Sequence, residues 1–203
     1  VQSQPLTKTI ESIKEPQQLL DWVKSKGYVT FETKPWDLNI IGIRRKMGTV
    51  NLFDDRIYVI CKDDVGHMCM WSWAATTDPG LYWMRTTMNK RGTAALVPGQ
   101  YRGGWKIGDH NGKPGLVQIK TVKTFRDNNK DAVYDFDPAT ITEGLYGINL
   151  HRAGANSKSV DKWSAGCQVW SKDADFEQFL DLCEKQVKVN GFTTFTYTLL
   201  EEE

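Results

Sequence analysis

From Met68 onward the chain breaks into short aromatic or β-branched runs, each ended by glycine, proline or aspartate, and this punctuation leaves little room for long helices. Met68 to Thr76 stops at Thr77-Asp78-Pro79-Gly80, and Ala94 to Val97 stops at Pro98-Gly99. Asp109-His110-Asn111-Gly112-Lys113-Pro114-Gly115 sets off a further run from Leu116 to Val122. Runs of this length and spacing predict mainly antiparallel β structure. Leu145 to Leu150 reads as another strand, one that delivers His151 at its edge, and its imperfect alternation fits a strand covered on both faces.

Helices are expected at two places. Pro16 to Gly27 has proline in its first turn, glycine as its stop, and Leu19, Leu20, Trp22 and Val23 as an apolar face. Ser171 to about Val187 repeats Phe176, Phe179, Leu180 and Cys183 at helical spacing before Asn190-Gly191 stops it. Asn39 to Arg44, Arg56 to Cys61 and Phe192 to Leu200 read as strands, and the polar Val1 to Thr9 as extended or loose chain. The expected fold class is mainly β, a β-rich α+β arrangement. Residues 1–66 are expected to form an N-terminal helix and β-hairpin extension packed on a main body of 67–203.

A length of 203 residues, 40% of them hydrophobic, suffices for a substantial core. The net charge of +1, from 26 basic and 25 acidic residues, provides no global field for nucleic acid or an acidic membrane surface. No apolar run is long enough for stable membrane insertion, and the first thirty residues show no evident signal-peptide core. Cys61, Cys69, Cys167 and Cys183 permit disulfides without requiring them, and Cys61 and Cys183 read as buried thiols. His67 and Cys69 are potential metal ligands, but no spaced partners complete a set, so neither metal nor cofactor is expected. Nothing in the sequence fixes an oligomeric state.

The chemistry-bearing segment is Gly147-Ile148-Asn149-Leu150-His151, followed by Cys167 in Ser164-Ala165-Gly166-Cys167. An ionised cysteine is the strongest side-chain nucleophile, and a nearby histidine can take its proton or stabilise its thiolate. Gly166 lets the backbone approach a reacting carbonyl, where neighbouring N–H groups can hold a tetrahedral oxygen. These residues point to acyl transfer.

The hydrophobic lead-in, His151, the loop and Ser164-Ala165-Gly166-Cys167 resemble the catalytic signature of the L,D-transpeptidase (YkuD-like) family. Arg152 stands where that signature has glycine, Ala165 where it has a second histidine, and Gln168-Val169 where it has an aliphatic residue and arginine. The resemblance implies an L,D-transpeptidase-like catalytic domain in which Cys167 is the nucleophile, His151 its base and Gly166 part of the catalytic turn. It also implies bacterial peptidoglycan stem peptides as substrate, through a thioester.

Several neighbours are expected on the substrate side. Arg152 could grip a peptide carboxylate with its fork of donors, or pair with Asp161. Asp161 or a backbone carbonyl could orient the imidazole. Trp163 could line a sugar or peptide groove, and Trp105 lies in a glycine-bearing Tyr101 to Gly108 segment that reads as a substrate-side loop or as ordinary turns. Ser164 could support the nucleophile turn or cap it, and Gln168 follows the nucleophile directly. The expected activity is hydrolysis by a phage-type lytic enzyme, made in the bacterial cytoplasm and acting at the cell wall. Transpeptidation, and a noncatalytic cell-wall or virion module, are the alternatives.

Overall fold

A computed structural model describes residues 7–203; most of the polar opening from Val1 to Thr9 lies outside the described residues. Within these residues, three α-helices and eleven strands make a mixed α+β fold dominated by one large sheet. In chain order they are α1 (Pro16–Ser25), β1 (Asn39–Arg44), β2 (Asp55–Lys62), β3 (Met68–Thr76), α2 (Leu81–Arg85), β4 (Thr93–Leu96), β5 (Gly99–His110), β6 (Lys113–Gln118) and β7 (Val122–Asp127). They continue as β8 (Thr142–Gly144), β9 (Leu150–Arg152), β10 (Gln168–Trp170), α3 (Asp173–Asn190) and β11 (Thr194–Glu201). Eight strands close into a barrel in the order β1-β11-β5-β6-β9-β10-β3-β2, while β4, β7 and β8 form a separate three-stranded sheet.

Period-two geometry explains why β1 reads as one apolar run. Ile40 points to the main core with Val59 and Leu199, whereas Ile41 and Ile43 point the other way, under Leu19, Leu20, Trp22 and Val23 of α1. Each such side chain contributes about 1.5–3 kcal/mol when fully buried, so α1 is a structural cover on the barrel wall. The strand's Gly42 is a requirement of packing, because a Cβ there would lie 1.9 Å from the Tyr197 hydroxyl. That hydroxyl donates to Gln168 Oε1 at 2.8 Å and so ties β11 to β10 through the buried interior.

The helix that follows β10 fixes that strand in place. Phe176, Phe179, Leu180 and Cys183 bury one face of α3 in the main core, and Phe179 stacks on Trp170 of β10 with centroids 4.5 Å apart. Acidic Asp173 and Asp175 occupy the first turn, and Gly191 ends the helix in the left-handed region at φ 69°.

The structure differs from the sequence expectation at several elements, including the short α2 (Leu81–Arg85). β1 and β2 are barrel strands and not an appended hairpin: β1 pairs with β11 and β2 with β3, so the expected division at 66/67 falls in the β2–β3 turn. Tyr101 to Gly108 lies within β5 and is no loop; its glycines hide a strand, and a register shift occurs opposite it between Phe195 and Tyr197. The run from Leu116 to Val122 ends one strand and starts another. Of Leu145 to Leu150, only Leu150 enters the ladder, at the start of β9. Among the described residues, no helix is long and apolar enough to cross a membrane.

Candidate functional site

β9 and β10 lie parallel, with Gln168 opposite Leu150 and Val169 opposite His151. Cys167 enters β10 beside Asn149, and because Asn149 and His151 are two apart along the chain, this register turns the thiol and the imidazole to the same face. The Asn149 N–H donates to Cys167 Sγ at 3.4 Å, and the thiol donates to Gly147 O at 3.3 Å. Among the described residues no hydrogen bond joins the thiol to the His151 ring.

The turn that carries Cys167 depends on Gly166, whose φ is +120° and whose added Cβ would lie 2.6 Å from Ala94 O. Ser164 Oγ accepts from Gly166 N at 3.1 Å and donates to Cys167 O at 2.8 Å. Ser164 is fully buried, so it supports the turn and cannot contact substrate as expected. Gln168 is equally buried and engaged by Tyr197 and Gly166 O, which removes it from the substrate side for the same reason. The Cys167 N–H, by contrast, takes no acceptor among the described residues and is available to an oxyanion.

A second loop braces this turn. Gly80 N donates to Ser164 O at 2.8 Å, and the Thr77–Gly80 segment is itself anchored by a buried ion pair between Arg44 Nε and Asp78 Oδ1 at 2.7 Å. Arg44 also donates to Thr77 O and lies over the Phe136 ring, while Asp55 accepts from Thr77 N and Oγ1. Burial and the nearby Asp78 push the Asp55 carboxyl up to about 7.

His151 Nδ1 lies 2.8 Å from Arg152 O. A carbonyl only accepts, so this contact assigns the proton to Nδ1 and leaves Nε2 as the basic nitrogen. The backbone is therefore the orienting group, and Asp161 is not: its carboxylate accepts from Ser159 Oγ at 2.7 Å and Asn51 Nδ2 at 2.8 Å, within a tight loop where its φ is 39°. Arg152 likewise makes no pair with Asp161 among the described residues. Its guanidinium contacts Glu177 Oε1 at 3.0 Å and lies over Phe176, because α3 passes directly beside β9.

Burial, then the adjacent His110, drives the His151 pKa down to about 4, against the opposing pull of the Arg152 carbonyl. Burial also pushes the Cys167 thiol up to about 11, opposed by the Asn149 N–H. The thiol and the imidazole are thus both neutral near pH 7. This arrangement suits proton removal during attack and does not store a thiolate–imidazolium pair.

Cys167 and His151 open on a cavity of about 440 Å³ also lined by His110, Arg126, Lys162 and Trp163. Trp163 is 45% exposed and has the accessible face expected of a groove residue. Trp105 does not: it is fully buried and donates from Nε1 to Ile148 O at 2.7 Å, as part of the β5 wall. A second cavity of about 410 Å³ adjoins His151 and lacks Cys167; Lys113, Pro114, Lys162 and Trp163 are among its walls. No group of three or more His, Cys, Asp or Glu side chains is placed to hold a metal among the described residues.

Sequence reasoning missed His110, Asn149 and Arg126. His110 ends β5, stacks on His151 with centroids 4.2 Å apart, and has Asn149 Nδ2 at 3.0 Å from its Nδ1. The available signal was scarcity, since two of the three histidines meet here. Comparison with known protein families, curated proteins and solved structures finds no match.

Proposed function

We propose that this protein is a cysteine-dependent acyl-transfer enzyme acting on peptidoglycan stem peptides at the bacterial cell wall, with hydrolysis as the main outcome. The observation that carries the reading is the convergence of Cys167 and a carbonyl-oriented His151 on one cavity. Sγ attacks the peptide carbonyl as its proton passes to His151 Nε2; a C–S bond forms and the oxyanion is held by the Cys167 N–H. Collapse breaks the C–N bond, and the proton on Nε2 leaves with the amine. Water, deprotonated by the same nitrogen, then cleaves the thioester and restores the thiol. The choice of peptidoglycan rests on the resemblance of the His151–Cys167 segment to L,D-transpeptidases.

Transpeptidation is the second reading, and the second cavity beside His151 favours it, because an amine acceptor needs a walled approach to the thioester that water does not. Incubation with defined muropeptides and an excess amine, followed by intact-mass analysis, separates the outcomes. Shortened peptides that vanish in Cys167→Ala support the hydrolase, and ligated peptides support the transpeptidase. No turnover together with tight binding supports an interaction module.

A further inference from the structure

The cavity in front of Cys167 carries positive charge without a counterion. Arg126 and Lys162 line it, and among its described lining residues there is no aspartate or glutamate. Arg126 is only 7% exposed yet has no carboxylate partner among the described residues. Burying a charge without pairing it is costly, so a guanidinium kept in this state is a strong candidate to meet its counterion in a ligand.

Its geometry is fixed on three sides. Nε donates to Thr142 Oγ1 at 3.0 Å, NH1 makes a long 3.5 Å contact with Gly92 O, and the guanidinium lies over the Tyr146 ring at 4.2 Å. The remaining NH2 takes no acceptor among the described residues. Two routes place this fork beside the nucleophile. Arg126 sits opposite Ala94 in the β4–β7 ladder, and Ala94 O is the atom against which Gly166 packs. Tyr146 precedes Gly147, whose carbonyl accepts from Cys167 Sγ.

We infer that Arg126 is the carboxylate-recognising residue of the cavity, so that the acyl donor is a peptide bearing a free carboxylate next to the carbonyl that Cys167 attacks. This inference rests on the reading of Cys167 as the nucleophile. The carboxylate can come from a chain terminus or from an acidic side chain, and the chemistry Arg126 offers is the same for both. Arg152, already held by Glu177, does not compete for this role.

The test uses the Cys167→Ala protein, so that binding is measured without turnover. Three probes are titrated: N-acetyl-trialanine with a free C-terminus, its C-terminal amide, and that amide with glutamate as the middle residue, each with either hand at the final residue. With arginine side chains labelled by nitrogen-15, the Arg126 Nε–H resonance should shift with a carboxylate-bearing probe and stay in place with the neutral amide. The better carboxylate probe should bind about tenfold more tightly than the amide, and Arg126→Gln should bring that ratio close to one. The two acidic probes distinguish a terminal from a side-chain carboxylate. Equal binding of acid and amide, an equal shift of the resonance by both, or full discrimination in a folded Arg126→Gln protein would overturn the inference. Should Arg126→Gln fail to fold, the resonance in the otherwise unaltered site decides alone. Failure of the Cys167 reading shows elsewhere, as turnover that survives in Cys167→Ala.

Discussion

The imidazoles of His110 and His151 stack at 4.2 Å between centroids, with their planes inclined by 27°. A second proton on this pair would set like charges face to face, which adds to the burial that already depresses His151. His110→Ala removes the like charge and part of the cover. The His151 pKa should rise from about 4 toward the ordinary histidine value, and the acid limb of turnover should move to higher pH with it. NMR titration of the His151 ring protons reads this directly, and an unmoved midpoint would assign the depression to the rest of the site.

Thiol alkylation should report the neutral resting pair. With the Cys167 thiol pushed up to about 11, it is overwhelmingly neutral at neutral pH, and the rate of reaction with iodoacetamide should climb about tenfold per pH unit below that value. Peptide mapping should still find Cys167 modified ahead of the fully buried Cys61 and Cys183, with half-buried Cys69 as its competitor. A rate that is flat across neutral pH would reveal a preformed thiolate.

Gly166→Ala should remove activity while leaving the barrel folded. The new methyl meets Ala94 O in a backbone region that L residues avoid, at a cost of about 1–3 kcal/mol localised to the turn that carries Cys167. Circular dichroism and a thermal melt check the fold, and a mass-based turnover assay checks the chemistry.

Two tryptophan substitutions should separate groove from core. Trp163→Ala should change stability by no more than about 0.5 kcal/mol and weaken substrate use, because its exposed ring borders both cavities. Trp105→Ala should cost about 3–5 kcal/mol through the void it leaves in the barrel. Denaturant titration of the two variants gives the comparison.

Arg44→Met should destabilise the protein by about 3–5 kcal/mol, since it leaves buried Asp78 without its cation. The effect should reach the site as well, because the loop that Arg44 holds donates from Gly80 to Ser164. Hydrogen exchange around Ser164 to Cys167 should quicken even below the unfolding transition.

Local patterns carried much of this structure. The periodic apolar faces of α1 and α3 and the apolar runs of β1 to β3 are legible because short-range spacing decides them. β5 is poorly legible because Gly99, Gly103, Gly104 and Gly108 interrupt the residues that mark a strand. Barrel closure depends on pairings such as Ile40 with Tyr197, which no local window contains. The same distinction holds at the site. His151 and Cys167 share one motif, whereas His110 comes from the β5–β6 hairpin and Arg126 from the second sheet. The choice between Asp161 and a backbone carbonyl turned on loop geometry that composition does not encode.

The placement of β11 between β1 and β5 has a consequence for synthesis. β1 leaves the ribosome long before its parallel neighbour β11 is made, and two staves of the barrel wait for that strand. Until then the edge groups of β1 and β5 have no ladder partner on that side, and such edges invite pairing with other chains. Closure is therefore a late, long-range event, of the kind that makes folding slow. A nascent chain stalled before Thr194 should hold its thiol and imidazole on an unfinished wall, so the same strand that completes the barrel also sets the earliest moment at which the site can exist.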